Sequence, residues 1–148
     1  MAIVDLSTTL DAPADRVWSA VQTPAAFRLV TRGLLRMPAI AHRRDRWREG
    51  ETVAGWIFLF GVLPFSRHTL RCAQIDDATM TLRSEEHGGV VRRWHHDIVV
   101  APLDGERCTY RDRIDVDAGP LTPVVAAWAR VFYRIRQRRW RELAPTLA

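Results

Sequence analysis

The stretch GGVVRRWHHDIVVAPLDGERCTYRDRIDV, residues 88–116, contains two runs of alternating apolar and polar residues around the turn sequence Asp104-Gly105. Alternation with a period of two predicts β-strands, here over 90–101 and 107–117. A short loop between them pairs residues whose numbers sum to about 210, so that His96 opposes Ile114. The stretch therefore predicts an antiparallel hairpin with a defined register.

The two adjacent histidines of this hairpin have different environments in the predicted strand. Neighbouring residues of a strand point to opposite faces, so His95 lies outside while His96 shares the apolar, concave face with Trp94. Tyr110 and Asp112 lie on the apolar face of the second strand, and Asp112 is a diagonal neighbour of His96. Two roles are open for the His96–Asp112 pair: a buried hydrogen bond between core groups, or an acid–base pair that faces a ligand.

The hairpin ends a longer meander. Turn residues such as Gly, Pro and Asp separate the strand patterns, and a first strand precedes them near the N-terminus. The predicted strands are 2–10, 53–60, 66–75, 79–86, 90–101 and 107–117.

Helical patterns occupy both ends of the chain. Pro13 and Pro24 mark the starts of two short helices, over about 12–22 and 24–31, because proline suits the first helical turn. The segment 35–47 is less regular and reads as a strand interrupted by Pro38. A long helix over 121–143 carries an apolar stripe with a period of 3.6 residues. The stripe consists of Leu121, Val124, Val125, Trp128, Phe132 and Ile135.

Composition narrows the class of protein. A chain of 148 residues with 47% hydrophobic and 26% charged residues is typical of one globular domain, 1–148. The start has no signal-peptide pattern, and Cys72 and Cys108 follow no metal-ligand spacing, so we expect reduced thiols, a cytoplasmic location and no metal or other cofactor.

The positive charge is local. After Pro120 there are six arginines and a single acidic residue, which account for the net charge of +5. The simplest interpretation is a solvated helix end. A weak contact with an anionic membrane through Arg134, Arg138 and Arg141, or with an acidic partner, is the alternative. We expect no nucleic-acid binding, because no recognition motif accompanies these arginines.

The order of elements predicts an α+β protein in which a curved antiparallel sheet of about six or seven strands wraps around the C-terminal helix, with two short helices after the first strand. Alternate turns of a meander lie at the same end of the sheet. The loops 61–65, 87–89 and 118–120 therefore lie together, and their apolar, glycine-rich composition predicts the mouth of a cavity there.

The sequence resembles the SRPBCC superfamily of START-related and polyketide-cyclase-like proteins, which have a helix-grip fold. The segments that carry the resemblance cover nearly the whole chain. They are APADRVWSAVQTPAAF, FGVLPFSRHTL, the opening stretch and the closing helix. The resemblance implies a cavity for a hydrophobic ligand, and it does not identify a reaction.

We therefore expect a domain that binds or carries a small lipid- or polyketide-like molecule between sheet and helix. The first alternative is an enzyme similar to polyketide cyclases or aromatases, in which His96 and Asp112 move a proton and Tyr110 donates to an oxygen. The second alternative is an interaction protein that acts through the arginine-rich helix. Strand 53–60 is apolar on both faces, so its inward residues are uncertain. The candidate ligand-binding residues are Trp56, Phe58, His68, Leu70, Leu82, Arg92, Trp94, His96, Tyr110, Asp112, Trp128 and Phe132.

Overall fold

A computed structural model describes residues 1–148 of the protein, and it contains the hairpin predicted from residues 88–116. Seven antiparallel strands form one sheet in the order β1-β7-β6-β5-β4-β3-β2. Their bounds are β1 (Ala2–Leu10), β2 (Leu35–Arg36), β3 (Thr52–Leu59), β4 (Leu63–Asp76), β5 (Thr81–Gly88), β6 (Val91–Pro102) and β7 (Cys108–Asp117).

The register of the central hairpin is the predicted one. His96 opposes Ile114, and Ile98 opposes Asp112. Because side chains alternate along each strand, His96 and Asp112 both lie on the concave face. His95 lies on the other face, opposite Asp115 of β7. The hairpin therefore brings one histidine and one aspartate into the interior.

The sheet bends where its ladders are irregular. The pairing shifts register between Ile57 and Phe58 of β3, between Cys72 and Gln74 of β4, and near the end of β5. Such β-bulges bend a strand and increase its twist. At the last bulge Gly88 is required, because a Cβ there would lie 2.3 Å from the Arg67 carbonyl oxygen.

Three α-helices complete the fold. They are α1 (Ala14–Val21), α2 (Pro24–Thr31) and α3 (Thr122–Leu143). At the start of α2 the Thr23 hydroxyl accepts a hydrogen bond from the Ala26 amide, and Pro24 occupies the first turn. α3 packs chiefly against β1 and β7 at one side of the sheet. The curved sheet therefore separates from this straight helix toward β3–β6.

The predicted fold class is confirmed, including the two short helices and the long C-terminal one. The segment 35–47 differs from its prediction. It forms only the two-residue strand β2, which ends before Pro38, followed by one turn of 3₁₀ helix at Pro38–Ile40 and an irregular loop. Proline lacks the amide hydrogen that would extend the ladder with β3.

Two further features bear on the predictions from composition. Cys72 and Cys108 are both buried free thiols. No helix combines the length and the apolar character that a bilayer crossing requires.

Candidate functional site

A cavity of about 300 Å³ lies between α3 and the strands that curve away from it. Of the 25 residues that line it, 20 are hydrophobic, so its walls are mainly apolar. Strands β3 to β6 supply one wall and α3 supplies the other, while residues of α1 and α2 close the remaining side. The cavity is thus a consequence of packing a bent sheet on a straight helix.

The cavity reaches solvent beside the β3–β4 hairpin and the start of α3, near two of the loops, 61–65 and 118–120, that were predicted to form its mouth. Phe65 and Val124 line it and are also exposed to solvent. At the tip of the β3–β4 hairpin, Phe60 has a positive φ of 55° and packs edge-on against Trp128 of α3, with ring centroids 6.0 Å apart. This contact bridges sheet and helix at the mouth. The exposed apolar residues at this end are Phe60, Val62, Leu63, Phe65, Val90, Leu121 and Val124.

His96 and Asp112 form the predicted pair. The Nε2 atom of His96 lies 2.7 Å from Oδ1 of Asp112, which is fully buried. Asp112 also accepts hydrogen bonds from the Tyr110 hydroxyl at 3.3 Å and from Nε2 of Gln137 at 3.0 Å. Gln137 is held in turn by the Leu6 carbonyl. Three donors therefore stabilise the buried carboxylate, and only His96 of this pair reaches the cavity.

The tautomer of neutral His96 follows from these contacts. A carboxylate can only accept, so Nε2 of His96 must carry the proton that it donates to Asp112. The Nδ1 atom then accepts from the Tyr133 hydroxyl at 3.4 Å, and that hydroxyl accepts from Nε1 of Trp94 at 3.2 Å. A chain of hydrogen bonds therefore runs from Asp112 through His96 to Tyr133 at the cavity wall.

A second polar cluster lies on the sheet side of the cavity. Nε2 of His68 is 2.8 Å from one Glu86 oxygen, and the Ser84 hydroxyl donates to the other at 2.7 Å. Burial raises the pKa of the Glu86 carboxyl, but the hydrogen bonds from His68 and Ser84 outweigh it, so the pKa lies below its ordinary value. Glu86 is therefore ionised at neutral pH and already has its partners.

The helix contributes two polar groups that are absent from the predicted site residues. Arg136 is 5% exposed and lines the cavity, and Gln137 is buried beside it. Both follow Phe132 and precede Trp140 on the same helical face, at spacings of three to five residues. This spacing was the available signal, and the apolar-stripe criterion missed it because it counts only hydrophobic residues. Ser84 and Glu86 share the inward face of β5 with Leu82 and were missed because they are polar, whereas Tyr133 was missed because it lies off the predicted stripe.

The cavity contains seven of the twelve candidate ligand-binding residues. They are His68, Leu70, Leu82, Trp94, His96, Trp128 and Phe132.

The other five candidates do not line the cavity, and their placement corrects the expectation. Trp56 and Phe58 lie on the outer face of β3, since Ile57 and Leu59 occupy the inner face. Tyr110 and Asp112 sit behind His96, where their side chains bond to each other. Arg92 is exposed near the mouth and lies beside Gly119, at the connection from β7 to α3.

The arginines after Pro120 do not form one surface patch, because two of the six point inward or cap another element. Arg136 enters the cavity, and Nη1 of Arg139 donates to backbone carbonyls at the end of α2. The remaining four are exposed. They are Arg130, Arg134, Arg138 and Arg141.

No group of three or more His, Cys, Asp or Glu side chains is arranged to hold a metal ion. Each histidine of the cavity instead bonds to one carboxylate, His68 to Glu86 and His96 to Asp112. The polar groups of the cavity can therefore orient a ligand or move a proton.

A family model described as a domain of unknown function, DUF8410, matches residues 8–144. The chain belongs to the DUF8410 family. No curated protein sequence matches this DUF8410 chain.

Solved structures similar to the DUF8410 chain identify its fold. Protein CV1439 from Chromobacterium violaceum is 15% identical, with 96% of each chain covered and a TM-score of 0.74. A START superfamily protein from Mycobacterium smegmatis is 12% identical, with 99% of each chain covered and a TM-score of 0.71. The Zhui aromatase/cyclase from Streptomyces sp. R1128 is 14% identical, with 97% of this chain and 93% of the other covered and a TM-score of 0.71.

These likenesses confirm the predicted resemblance to START-related and cyclase-like proteins as a shared helix-grip fold. At such identities the fold is what is shared, and the chemistry of the site must be argued from the residues of this chain.

Proposed function

We propose that this protein binds a small, largely apolar molecule in the cavity and carries it, with residues 1–148 acting as one ligand-binding domain. The observation that supports this most strongly is the cavity of about 300 Å³ with predominantly hydrophobic walls. Its size lies at the lower end of the range typical of small-molecule sites, roughly 300–1,000 Å³. Protein interiors are otherwise close-packed, so an apolar space of this size in the core is unusual and is suited to hold a ligand.

The proposed contacts divide into apolar and polar ones. Leu70 and Leu82 of the sheet and Trp128 of α3 would surround the apolar body of the ligand. His68 and His96 line the same space, and each imidazole is held by a carboxylate. A mostly apolar site with a few fixed polar groups is typical of ligand pockets.

A substitution that fills the cavity tests this proposal. Leu70→Trp places an indole in the space that the ligand would occupy, whereas Gln74→Trp places one on an exposed position of the same strand. Titration calorimetry with 1-decanol on protein freed of bound lipid should show binding to the wild type and to Gln74→Trp, and its loss in Leu70→Trp. Equal affinities in all three proteins would contradict binding in this cavity.

A second function, acid–base catalysis of the cyclase type, is favoured by one observation. His96 reaches the cavity while Asp112 holds it from behind at 2.7 Å, an arrangement suited to proton transfer. The phenol placed to meet a substrate oxygen is that of Tyr133, which lines the cavity, because the Tyr110 hydroxyl is committed to Asp112. In such a reaction the substrate would displace the 3.4 Å contact between the Tyr133 hydroxyl and Nδ1 of His96. Nδ1 would then remove a proton next to a carbonyl, and Tyr133 would donate to the carbonyl oxygen.

This second function has its own test. Deuterium uptake next to the carbonyl of 2-decanone, followed by NMR in deuterated buffer, should be faster with the wild type than with His96→Gln. Binding of 1-decanol should be similar in both proteins, which separates catalysis from carriage. If the exchange is no faster with the protein than in buffer alone, His96 does not act as a base on this ketone.

A further inference from the structure

Arg136 is the one arginine of this protein that is buried. It projects from α3 into the cavity, and its guanidinium lies above the rings of Tyr133, Phe27 and Phe132 at 5.0, 5.7 and 5.8 Å from their centroids. Cation–π contacts of this kind offset part of the cost of removing a guanidinium from water. They leave its hydrogen-bonding capacity unused.

The guanidinium has no anionic partner in the protein. Arg136 takes part in none of the ion pairs or side-chain hydrogen bonds, and its Nε is buried without an acceptor. By contrast, Arg43 forms a two-pronged pair with Glu51, at 2.6 Å for each contact. Buried charges are normally paired because an unpaired one costs several kcal/mol.

The nearest acidic groups are already committed. Glu86 is held by His68 and Ser84, and Asp112 accepts the three hydrogen bonds described above. Burial lowers the pKa of Arg136, but the neighbouring tyrosines, Asp112 and Glu86 outweigh it, so the pKa stays above its ordinary value. Arg136 is therefore a permanent cation with free donors facing an apolar space.

We propose that the ligand is an apolar carboxylate whose acid group binds the guanidinium of Arg136 and whose hydrocarbon part fills the rest of the cavity. This inference rests on the proposed function and names the chemical class of its ligand. The planar guanidinium donates two parallel hydrogen bonds to a carboxylate, which suits a single fixed head group.

The charge of the site favours a carboxylate over a phosphate ester. A carboxylate carries one negative charge, which Arg136 neutralises. A phosphate monoester carries about −1.5 to −2 at neutral pH and would leave an excess negative charge near Glu86 and Asp112. Like charges at close range in a poorly solvated site oppose binding.

The test compares probes that differ only in the head group. Calorimetry on lipid-free wild-type protein would use decanoate, 1-decanol and decyl phosphate. We expect decanoate to bind about tenfold or more tightly than 1-decanol, as a charge-assisted pair in a buried site provides. Decyl phosphate should bind more weakly than decanoate.

Two variants locate the preference. Arg136→Met keeps the apolar volume of the side chain and removes the charge, and Arg134→Met makes the same change at an exposed position of α3. The preference for decanoate should disappear in Arg136→Met, with 1-decanol still bound, and persist in Arg134→Met.

The outcomes separate the two proposals. The proposal of a carboxylate ligand is overturned if the wild type binds decanoate and 1-decanol equally tightly. It is also overturned if the preference for decanoate survives in Arg136→Met, or if decyl phosphate binds more tightly than decanoate. If the wild type binds neither decanoate nor 1-decanol, both the proposed function and the inference of a carboxylate ligand are contradicted. If Arg136→Met fails to fold, the wild-type comparison of the three probes decides alone.

Discussion

Two replacements of Asp112 distinguish the hydrogen bonds that its side chain makes from its negative charge: Asp112→Ala removes both, and Asp112→Asn removes only the charge. Asp112→Ala leaves the buried donors of His96 and Tyr110 without an acceptor, and Gln137 keeps only the Leu6 carbonyl. Each buried donor left without an acceptor costs about 1–3 kcal/mol, so the two together should cost about 2–6 kcal/mol. That is a large part of an unfolding free energy of roughly 5–15 kcal/mol.

Asp112→Asn should reduce the free energy of unfolding less than Asp112→Ala does, because the asparagine amide can bond to the same neighbours with some donors and acceptors exchanged. Its oxygen can accept from Gln137, while its NH₂ group donates to Nε2 of His96 and to the Tyr110 oxygen. The Tyr110 hydroxyl hydrogen then lacks an acceptor, while the Tyr133 hydroxyl, which loses Nδ1 of His96 as its acceptor, faces the cavity. We therefore expect a loss of about 1–2 kcal/mol, mainly from Tyr110. The substitution also requires His96 to move its proton from Nε2 to Nδ1, where it donates to Tyr133.

Two measurements test these hydrogen bonds. Urea unfolding followed by circular dichroism gives the loss of stability of each variant. Nitrogen-15 NMR of the imidazole in alkaline buffer gives its tautomer, which should be Nε2–H in the wild type and Nδ1–H in Asp112→Asn. A loss below about 1 kcal/mol for Asp112→Ala, or one tautomer in both proteins, would refute the assigned hydrogen bonds.

Three further predictions follow from burial and backbone geometry. The pKa of Glu86 lies below its ordinary 4.5 in the folded protein, so its ionisation stabilises the fold above that pH, and this contribution is lost as pH falls through the folded pKa. In acid unfolding curves Glu86→Gln should therefore lose less stability between neutral pH and acid than the wild type, and an equal loss would contradict this. Phe60 has a positive φ and packs on Trp128, so Phe60→Gly should be more stable than Phe60→Ala by about 1 kcal/mol in urea unfolding, and the reverse order would show that the turn is not strained. Burial raises the pKa of Cys108, which does not line the cavity, to about 11, so in Cys72→Ser a maleimide should label Cys108 only at the rate of unfolding, and fast labelling of the native protein would contradict its burial.

The hairpin shows which parts of the site the sequence could predict. The register of β6 and β7 follows from the length of the 103–106 turn, and the faces follow from strict alternation, so the contact between His96 and Asp112 was predictable. Strand β3 shows the opposite case. It is apolar on both faces and contains a bulge between Ile57 and Phe58, so the pattern could not select Ile57 over Trp56 as the inward residue.

The helix shows a second limit. A periodic apolar stripe identifies α3 as amphipathic, but it is counted from hydrophobic residues and therefore leaves out Arg136, although Arg136 lies one turn after Phe132. A buried cation is contrary to the usual distribution of charged residues, and positions that break such local rules are often functional. The same break in pattern is the observation on which the carboxylate proposal rests.

The most direct test of the ligand-binding account is native mass spectrometry of the protein purified from more than one expression host. We expect a bound small molecule on the wild type and on Gln74→Trp, released by organic extraction, and none on Leu70→Trp, whose indole occupies the cavity. A bare protein mass for the wild type from every host, with no binding of 1-decanol or decanoate afterwards, would contradict it.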